Sequence, residues 1–321
     1  MTIARRQQVD LSITPYYHCV SRCVRRSFLC GIDAVSGRSY EHRRQWLESR
    51  ILKLAQIYCI DICAYAVMSN HYHLVVHINR DKALNLSEEE VIQRWSIQHS
   101  LDEIMIRYRD QNIEDPQIKE RCQKQIHVWR ERLYSLSWMM RELNMAIALQ
   151  ANKEDQCTGH FWEGRYKSQA LLDEQALLAA MTYVDLNPIR ANIAHTPETS
   201  NHTSIKKRIN SLRLNAKTPT GLAPFRRNAN SSQRGYYLPF NFIDYLEWID
   251  WYGRHNHHLT ARGEIDVKQP PILARLSIAM PDFITTCANL EQRGRLWVGS
   301  RQTIEKTKHL IPRQRLQTVN F

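Results

Sequence analysis

The first eighty residues alternate between strand-like and helix-like hydrophobic patterns. Residues 16–22 alternate apolar and polar side chains and predict a first strand. Residues 40–57 carry apolar side chains at helical spacing, with arginine and lysine largely on the other side. A second strand over 60–66 leads into 67–78, a run rich in β-branched and apolar residues, through a hairpin or a break near Asn70. This β-α-β-β order predicts an α+β fold, in which helices back a small antiparallel sheet.

The run 67–78 also carries candidate chemistry. Alternate side chains of a strand share a face, so His71 and His73 point the same way, while Tyr72 and Leu74 point to the other side. Two imidazoles side by side on a sheet are suited to bind one divalent cation. In many strands such a pair only bonds to polar neighbours, which is the simpler interpretation. His77 shares their face further along, and we interpret it as structural.

A late helix is predicted over residues 173–188. Asp173 is a good N-cap, and Pro188 ends the helix near Asn187. Tyr183 and Asn187 are spaced i, i+4 and therefore lie on one face, with alanines below them. Such a face can lie close to a sheet and present the phenol and the carboxamide together. Taken alone, a helical tyrosine is typical of packing, and an asparagine before proline is typical of a cap.

The other segments are mainly helical or polar. We interpret residues 81–154 as a helical insertion, either a lid or DNA-guiding arm or additional packing, with one long amphipathic helix over about 119–152. Residues 195–204 are polar and predict a linker, and 214–235 are loop-like with proline and glycine. A helical pattern resumes over 238–251.

The chain has 321 residues, of which 43% are apolar. This length fits one large domain or two ordinary ones, and the apolar content is that of a folded protein. The N-terminus shows no signal-peptide pattern, and no stretch approaches a membrane-spanning length. The eight cysteines lack a disulfide-framework spacing. We therefore expect a cytoplasmic protein with reduced thiols and no membrane partner.

The net charge of +12 is concentrated in the last third of the chain. From His202 onward there are 19 lysines and arginines against 8 acidic residues, whereas the preceding part has 25 against 24. A basic region attached to a nearly neutral body favours a polyanionic partner. A solvated basic surface without a partner is the alternative.

Three motifs in order resemble a known family. Residues 68–74 (MSNHYHL), 160–168 (HFWEGRYKS) and 183–191 (YVDLNPIRA) are similar to motifs of the REP-associated tyrosine transposases. These are single-tyrosine members of the HUH nuclease superfamily, named for a histidine pair around a hydrophobic residue. The resemblance covers roughly 16–78 and 160–193, and the rest of the chain lies outside it.

The resemblance implies an HUH nuclease fold with a ferredoxin/RRM-like core and a DNA strand-transfer reaction. Tyr183 would be the nucleophile and would leave a 5′-phosphotyrosine and a free 3′-hydroxyl. His71, His73 and Asn187 would hold Mg²⁺ or Mn²⁺. A phenol has a pKa near ~10, so Tyr183 needs help to ionise at neutral pH.

The resemblance also implies single-stranded or hairpin DNA as the partner and no small-molecule substrate. Arg165 and Lys167 are candidates for phosphate contacts, and Trp162 or Tyr166 for stacking on a base. Ordinary strand-edge charge and aromatic packing are the alternatives for these four. We expect a catalytic domain over 1–199 and a basic, mainly helical region over 200–321 as a DNA-binding appendage, in a nucleoid-associated protein.

Other functions remain open at this point. One alternative keeps the nuclease without mobility, as a domesticated hairpin-nicking enzyme or as a relaxase or replication initiator with the same core. A non-catalytic DNA- or RNA-binding protein with structural histidines is a second alternative, and a metallohydrolase of small molecules is a third. The basic region and the lack of an acidic ligand cluster disfavour the third. The sequence does not decide between a monomer and a homodimer that exchanges its tyrosine helix.

Overall fold

The sheet at the centre of the molecule has five strands in the order β2-β3-β1-β4-β5. The computed structural model describes residues 8–24, 29–33, 36–214, 218–226, 236–256, 297–299 and 301–307. Within these residues the strands are β1 (Tyr16–Arg22), β2 (Ile60–Val67), β3 (His71–Ile78), β4 (Lys167–Leu171) and β5 (Trp297–Val298). The first four are antiparallel to their neighbours, and β5 pairs with β4 in parallel.

Helices cover both faces of this sheet. In the described part of the chain they are α1 (His42–Ile57), α2 (Arg80–Leu84), α3 (Glu88–Ser96), α4 (Glu103–Arg109), α5 (Pro116–Leu133), α6 (Leu136–Glu154), α7 (Glu174–Asp185), α8 (Asn187–Arg190), α9 (Ser204–Arg213), α10 (Phe242–Asn256) and α11 (Arg301–Thr307). A 3₁₀ turn lies at Pro197–Thr199. The predicted α+β class, with an antiparallel sheet backed by helices, is confirmed.

One face of the sheet, here called the packed face, carries an apolar core. Tyr17, Tyr72, Leu74 and Val76 point to this side and are fully buried. The core continues through buried side chains of α1, α3, α5 and α6. These four helices therefore cover the side of β3 that the alternation of the sequence assigns to the core.

The opposite face, here called the histidine face, bears His18, His71 and His73. It is covered by α7, α9 and α10, whose buried residues form a second cluster with β2 and β3. The strand side of this cluster is built from small residues such as Ala64 and Ala66, and the α7 side from alanines as well. Small residues on both sides allow the helix backbone to lie close to the sheet.

The predicted long helix over 119–152 is wrong, because α5 and α6 are separate helices. Tyr134 ends α5 at φ −109°, ψ 10°, and Ser135 is extended at φ −84°, ψ 110° before α6 begins. The Leu133 carbonyl oxygen accepts a hydrogen bond of 2.7 Å from the Cys59 N–H. The last carbonyl of α5 thus bonds to the segment before β2 instead of continuing the helix.

Residues after 200 contribute to the core of the histidine face. Ile205 of α9 and Trp248 of α10 are fully buried there. The Trp248 indole N–H donates to Thr182 Oγ1 of α7 at 2.9 Å. The boundary at residue 199 and the status of 81–154 as an insertion stay predictions, as does any DNA-binding role of 200–321. In the described part of the chain, no helix has the length and apolar character needed to span a membrane.

Candidate active site

The register of the sheet sets the polar side chains of the histidine face next to each other. Arg22 of β1 lies directly opposite His71, and Val20 lies opposite His73. On the other side of β1, His18 lies opposite Gln169 of β4. Residues directly opposite in neighbouring strands share a face, so β1 places His18 between the β3 histidines and Gln169.

The tyrosine helix α7 crosses this group. Asp173 accepts a hydrogen bond from the Ala176 N–H at 2.8 Å and fixes the start of the helix, as its sequence predicts. Three turns later, the half-buried Tyr183 ring meets two histidines edge to face. Its centroid is 5.4 Å from that of His73 and 5.8 Å from that of His18. The structure thus brings Tyr183 to His73, one member of the predicted histidine pair, within one chain.

Asn187 completes the group from the start of α8. Its side chain is buried, with 9% exposure, and hydrogen-bonds the Tyr183 hydroxyl. The i, i+4 spacing predicted this proximity, because α7 ends at Asp185 without moving Asn187 off the face of Tyr183. The rings of His71 and His73 are 4.8 Å apart, as expected for alternate residues of one strand.

A hydrogen-bonded chain runs behind His73. Gln169 Oε1 is 2.7 Å from His18 Nδ1, and His18 Nε2 is 3.0 Å from His73 Nδ1. His71 Nδ1 lies 2.7 Å from Asn70 Oδ1. His73 Nε2 is buried and has no hydrogen-bond partner among the residues that the structure describes. Buried polar atoms without a partner are uncommon and call for an explanation.

Burial keeps these imidazoles neutral at physiological pH. Loss of hydration lowers the pKa of His18 to about 4, against the opposing effect of its bond to Gln169. Burial, with a smaller contribution from the Arg22 charge, lowers the pKa of His71 to about 4. The pKa of His73 is lowered further below the usual range by burial and by the neighbouring histidines. Neutral imidazoles are the form that binds a metal ion.

The Tyr183 phenol experiences opposing influences. Burial raises its pKa, while the Arg190 charge, the Asn187 hydrogen bond and the Arg22 charge lower it. The Arg190 guanidinium carbon lies 5.4 Å from the centroid of the Tyr183 ring. Two guanidinium groups and a carboxamide therefore stabilise the ionised phenol within a site that otherwise disfavours charge.

The donors present suit a divalent cation, although they are few. Among the described residues, no group of three or more His, Cys, Asp or Glu side chains is arranged to hold a metal. His71, His73 and Asn187 instead offer two imidazoles and one carboxamide, so the third donor is an asparagine and not one of those four residue types. The buried His73 Nε2 has no hydrogen-bond partner among the described residues, and a neutral imidazole nitrogen is able to bind a metal ion. These residues therefore fit the implied metal.

The four predicted DNA contacts divide between the two faces. Lys167 is exposed, pairs with Val20 and lies on the histidine face, and Arg165 is also exposed. Tyr166 is only 6% exposed, and the Trp162 indole N–H donates to the Asn144 carbonyl oxygen at 2.8 Å. Both aromatic rings belong to the packing of the other face. A role in DNA binding stays a prediction for all four.

Sequence reasoning did not assign four residues that the structure places here. His18, Gln169, Arg22 and Arg190 surround the predicted site, yet they come from two strands and a short helix far apart in sequence. Alternation along β1 does place His18 and Arg22 on one face, but only the strand register shows that this face meets His73.

Comparisons with known proteins were made for the whole chain. No family model and no curated protein matches it. Among solved structures, it is similar to a REP-associated tyrosine transposase bound to a REP hairpin, with a TM-score of 0.38 and 13% sequence identity. The similarity covers 74% of this chain and 99% of that one. This TM-score is too low to support an argument about fold or function.

Proposed function

We propose that this chain is a single-tyrosine transposase of the HUH type, which cleaves and rejoins single-stranded DNA beside hairpin sequences. The observation that supports this most directly is the contact of Tyr183 with His73 and Asn187 within one chain. A nucleophile, a neutral imidazole pair and an amide oxygen are the parts that this chemistry needs. The motif resemblance described above supports the same function.

In the proposed reaction, the Tyr183 oxygen attacks the scissile phosphorus. The new bond joins phosphorus to the tyrosine oxygen, and the bond that breaks joins phosphorus to the 3′-oxygen of the DNA. The phenol loses its proton to solvent before attack, and the departing 3′-oxygen takes up a proton from solvent. A phosphodiester thus replaces a phosphodiester, and a 3′-hydroxyl can later reverse the step. The guanidinium groups of Arg22 and Arg190 stabilise the ionised phenol before attack and bind the phosphate during it.

His71, His73 and Asn187 would hold Mg²⁺ or Mn²⁺. When bound, the cation supplies Lewis-acid stabilisation of charge on the phosphate oxygens. Two imidazoles are softer ligands than Mg²⁺ prefers, so Mn²⁺ should bind more tightly. A carboxamide has both a donor and an acceptor end, so Asn187 can contact Tyr183 through nitrogen and keep its oxygen for the ion.

Single-stranded and hairpin DNA are the proposed partners. Lys167 and Arg165 lie at the end of the sheet where β4 begins, close in sequence to Gln169, and would contact backbone phosphates. The basic region after His202 would bind the hairpin or its flank. Because Ile205 and Trp248 belong to the core, truncation near Thr199 would expose apolar surface, and point substitutions are the sounder test.

Tyr183 lies beside His73 and Asn187 of the same chain, which supports a monomer that cleaves without exchanging its tyrosine helix. A homodimer in which Tyr183 serves its partner would give a different result in a mixing experiment. Tyr183→Phe and His73→Ala variants should not restore cleavage when combined. Recovered cleavage in the mixture would show that the tyrosine acts between protomers.

The experiment that tests the function is covalent capture. The protein is incubated with a pool of labelled hairpin oligonucleotides carrying randomised single-stranded flanks, with Mn²⁺ or Mg²⁺, and the products are separated on a denaturing gel. We expect an adduct whose DNA-linked peptide contains Tyr183.

Two variants serve as test and control. Tyr183→Phe should abolish the adduct while DNA binding, measured by fluorescence anisotropy, is retained. Tyr108→Phe, in α4 behind the packed face, should behave as the unmodified protein. No adduct with either metal across the whole pool, with binding intact, would instead favour the non-catalytic DNA-binding alternative.

A further inference from the structure

The hydrogen-bond chain determines which ring nitrogens of His18 and His73 carry a hydrogen atom. A carboxamide oxygen only accepts, so the Gln169 Oε1 contact at 2.7 Å requires His18 Nδ1 to donate. A neutral imidazole has one N–H, so His18 Nε2 must accept, and the 3.0 Å contact requires His73 Nδ1 to donate. The lone pair of His73 is then on Nε2, the atom that has no partner among the described residues.

The reverse polarity has a specific cost. If the Gln169 amide nitrogen faced His18, each donor and acceptor along the chain would exchange roles, and His73 Nε2 would carry the hydrogen. That N–H would be buried without an acceptor and would repel a cation, whereas the lone pair of the first polarity is a buried acceptor that a cation can satisfy; either group costs about 1–3 kcal/mol when it has no partner. The orientation of one glutamine amide therefore selects which nitrogen of His73 carries its hydrogen and which keeps the lone pair.

The second histidine is arranged in the same way. Asn70 Oδ1 lies 2.7 Å from His71 Nδ1, so that nitrogen donates and the His71 lone pair is also on Nε2. Asn70 bonds directly to the next residue, His71. Gln169 reaches His73 only through the buried His18, which lies 151 residues away from Gln169 in sequence. Two amides thus set both imidazoles to the same tautomer.

We propose that His18 and Gln169 are positioning residues that hold His73 in its Nδ1–H tautomer and present its Nε2 lone pair to the divalent cation. In this proposal both residues act on the ion only through the His73 ring. This inference rests on the proposed function for the identity of the ligand, but the tautomer itself can be measured without DNA or metal. Outer hydrogen-bond partners of metal-binding histidines typically contribute about 10- to 100-fold to metal affinity.

The first measurement is the tautomer of His73 in the metal-free, full-length protein, by long-range ¹H–¹⁵N correlation NMR with ¹⁵N-histidine labelling. The unmodified protein should show a protonated Nδ1 and an unprotonated Nε2. His18→Phe removes the acceptor and should leave His73 in mixed tautomers. His18→Gln places an amide oxygen where His18 Nε2 was and should restore the Nδ1–H form.

The second measurement is Mn²⁺ affinity, from the electron paramagnetic resonance signal of free Mn²⁺ during a MnCl₂ titration. His18→Phe should weaken binding by about 10- to 100-fold, and His18→Gln should recover most of the loss. Gln169→Met should produce a smaller loss and a mixed tautomer. His77→Phe, on the same strand face but bonded to Asp61, is the matched control and should leave the Mn²⁺ affinity unchanged.

Folding is monitored by thermal unfolding in each variant, and the rescue by His18→Gln separates a tautomer effect from loss of structure. An Nε2–H tautomer in the unmodified protein overturns the proposal. So does a folded His18→Phe variant with unchanged tautomer and Mn²⁺ affinity. If the tautomer and the Mn²⁺ results are as expected but no Tyr183 adduct forms with DNA, the proposed function fails while the positioning role stands.

Discussion

The two faces of the sheet bury different kinds of side chain. The packed face is covered mainly by apolar side chains, and the Tyr72 hydroxyl there donates to Asn144 at 2.6 Å. The histidine face buries His18, His73 and Gln169 instead. Apolar burial stabilises a fold directly, whereas burial of a polar group is unfavourable unless it is hydrogen-bonded.

The difference supports the proposal that the histidine face carries the chemistry. There Gln169, His18 and His73 form a hydrogen-bonded chain that ends at the unpartnered nitrogen of His73. Unpartnered buried polar atoms also occur among the described residues of the packed face, such as the Tyr58 hydroxyl, so His73 Nε2 is distinguished by the hydrogen-bonded chain that leads to it and by the Tyr183 ring beside it. The packed face thus stabilises the fold mainly through apolar burial, and the chain on the histidine face supports the proposal of a site there.

Adjacent residues of β3 provide the strongest test, because Leu74 and His73 point to opposite faces. Leu74→Ala removes a fully buried side chain and should lower the free energy of unfolding by about 2–5 kcal/mol. The folded fraction should still form the Tyr183 adduct. His73→Ala should cost less stability but reduce adduct formation by about 100- to 1,000-fold, since metal stabilisation is worth several kcal/mol.

Urea unfolding and single-turnover adduct formation measure the two effects on the same protein. The proposed difference between the faces would be wrong if the smaller folded fraction of His73→Ala accounted for all of its loss of adduct formation. It would equally be wrong if Leu74→Ala abolished the adduct in molecules that remain folded.

A second test concerns Asp185, the buried carboxylate of the tyrosine helix. It accepts hydrogen bonds from the Ser204 hydroxyl, the Ile205 N–H at 3.1 Å and the Tyr245 hydroxyl at 2.7 Å. Asp185→Ala leaves these donors buried without their acceptor and should cost roughly 2–4 kcal/mol. Asp173→Ala, which removes the N-cap of the same helix, should cost only about 1 kcal/mol.

Because Asp185 lies between Tyr183 and Asn187 in sequence, its loss should also reduce adduct formation more than Asp173→Ala does. Thermal unfolding and adduct yield, measured on both variants, check this. Equal effects of the two substitutions would mean that the segments after residue 200 do not hold the tyrosine helix in place.

Much of the fold could be predicted from hydrophobic spacing. The strands β1, β2 and β3 and the helices α1 and α7 coincide closely with their patterns, because their apolar residues recur at strand or helix spacing between clear turn and capping signals. Strand β4 is not predicted, since Lys-Ser-Gln-Ala-Leu contains no β-branched residue and forms a strand through pairing with β1. The break at Tyr134–Ser135 is invisible in the pattern because apolar spacing continues across it.

The candidate site could be predicted only in part. The spacing within β3 and within α7 shows that His71 and His73, and Tyr183 and Asn187, form two pairs on single faces. The contact of His18 with Gln169 depends on the register between β1 and β4, which no local pattern determines. The roles of all these residues stay predictions until the chemistry is measured.

The pH dependence of stability gives a third, smaller effect. His18 and His71 have pKa values lowered to about 4, so between about pH 6.5 and 4 the unfolded chain binds protons that the native state does not. Stability therefore falls as pH falls through this window, by up to about 1.4 kcal/mol per pH unit for each group. Asp185, whose pKa burial raises to about 6, acts oppositely between about pH 6 and 4.

The histidines outnumber Asp185, so the net stability should decrease on acidification. Urea unfolding between pH 7.5 and 5 in EDTA measures this slope, and His18→Gln should reduce it by about 1 kcal/mol per pH unit. An unchanged slope in His18→Gln would show that the pKa of His18 is the same in the native and unfolded states, contrary to its burial.

The smallest expected effect concerns Arg22, the exposed charge directly opposite His71. Arg22→Gln should weaken binding of single-stranded DNA only a few-fold, because one phosphate contact among several is lost. The dependence of the logarithm of affinity on the logarithm of salt concentration should become less steep by about 0.7, the contribution of one neutralised phosphate on a single strand.

Lys124→Gln on α5 is the matched control, since that side chain is 74% exposed and its helix packs on the other core. Fluorescence anisotropy of a labelled oligonucleotide at several KCl concentrations measures both slopes. If Lys124→Gln changes the slope as much as Arg22→Gln does, DNA binding follows the overall charge of the protein and does not distinguish the histidine face from the packed face. A change confined to Arg22→Gln would instead place a backbone phosphate beside His71, where attack by Tyr183 requires it.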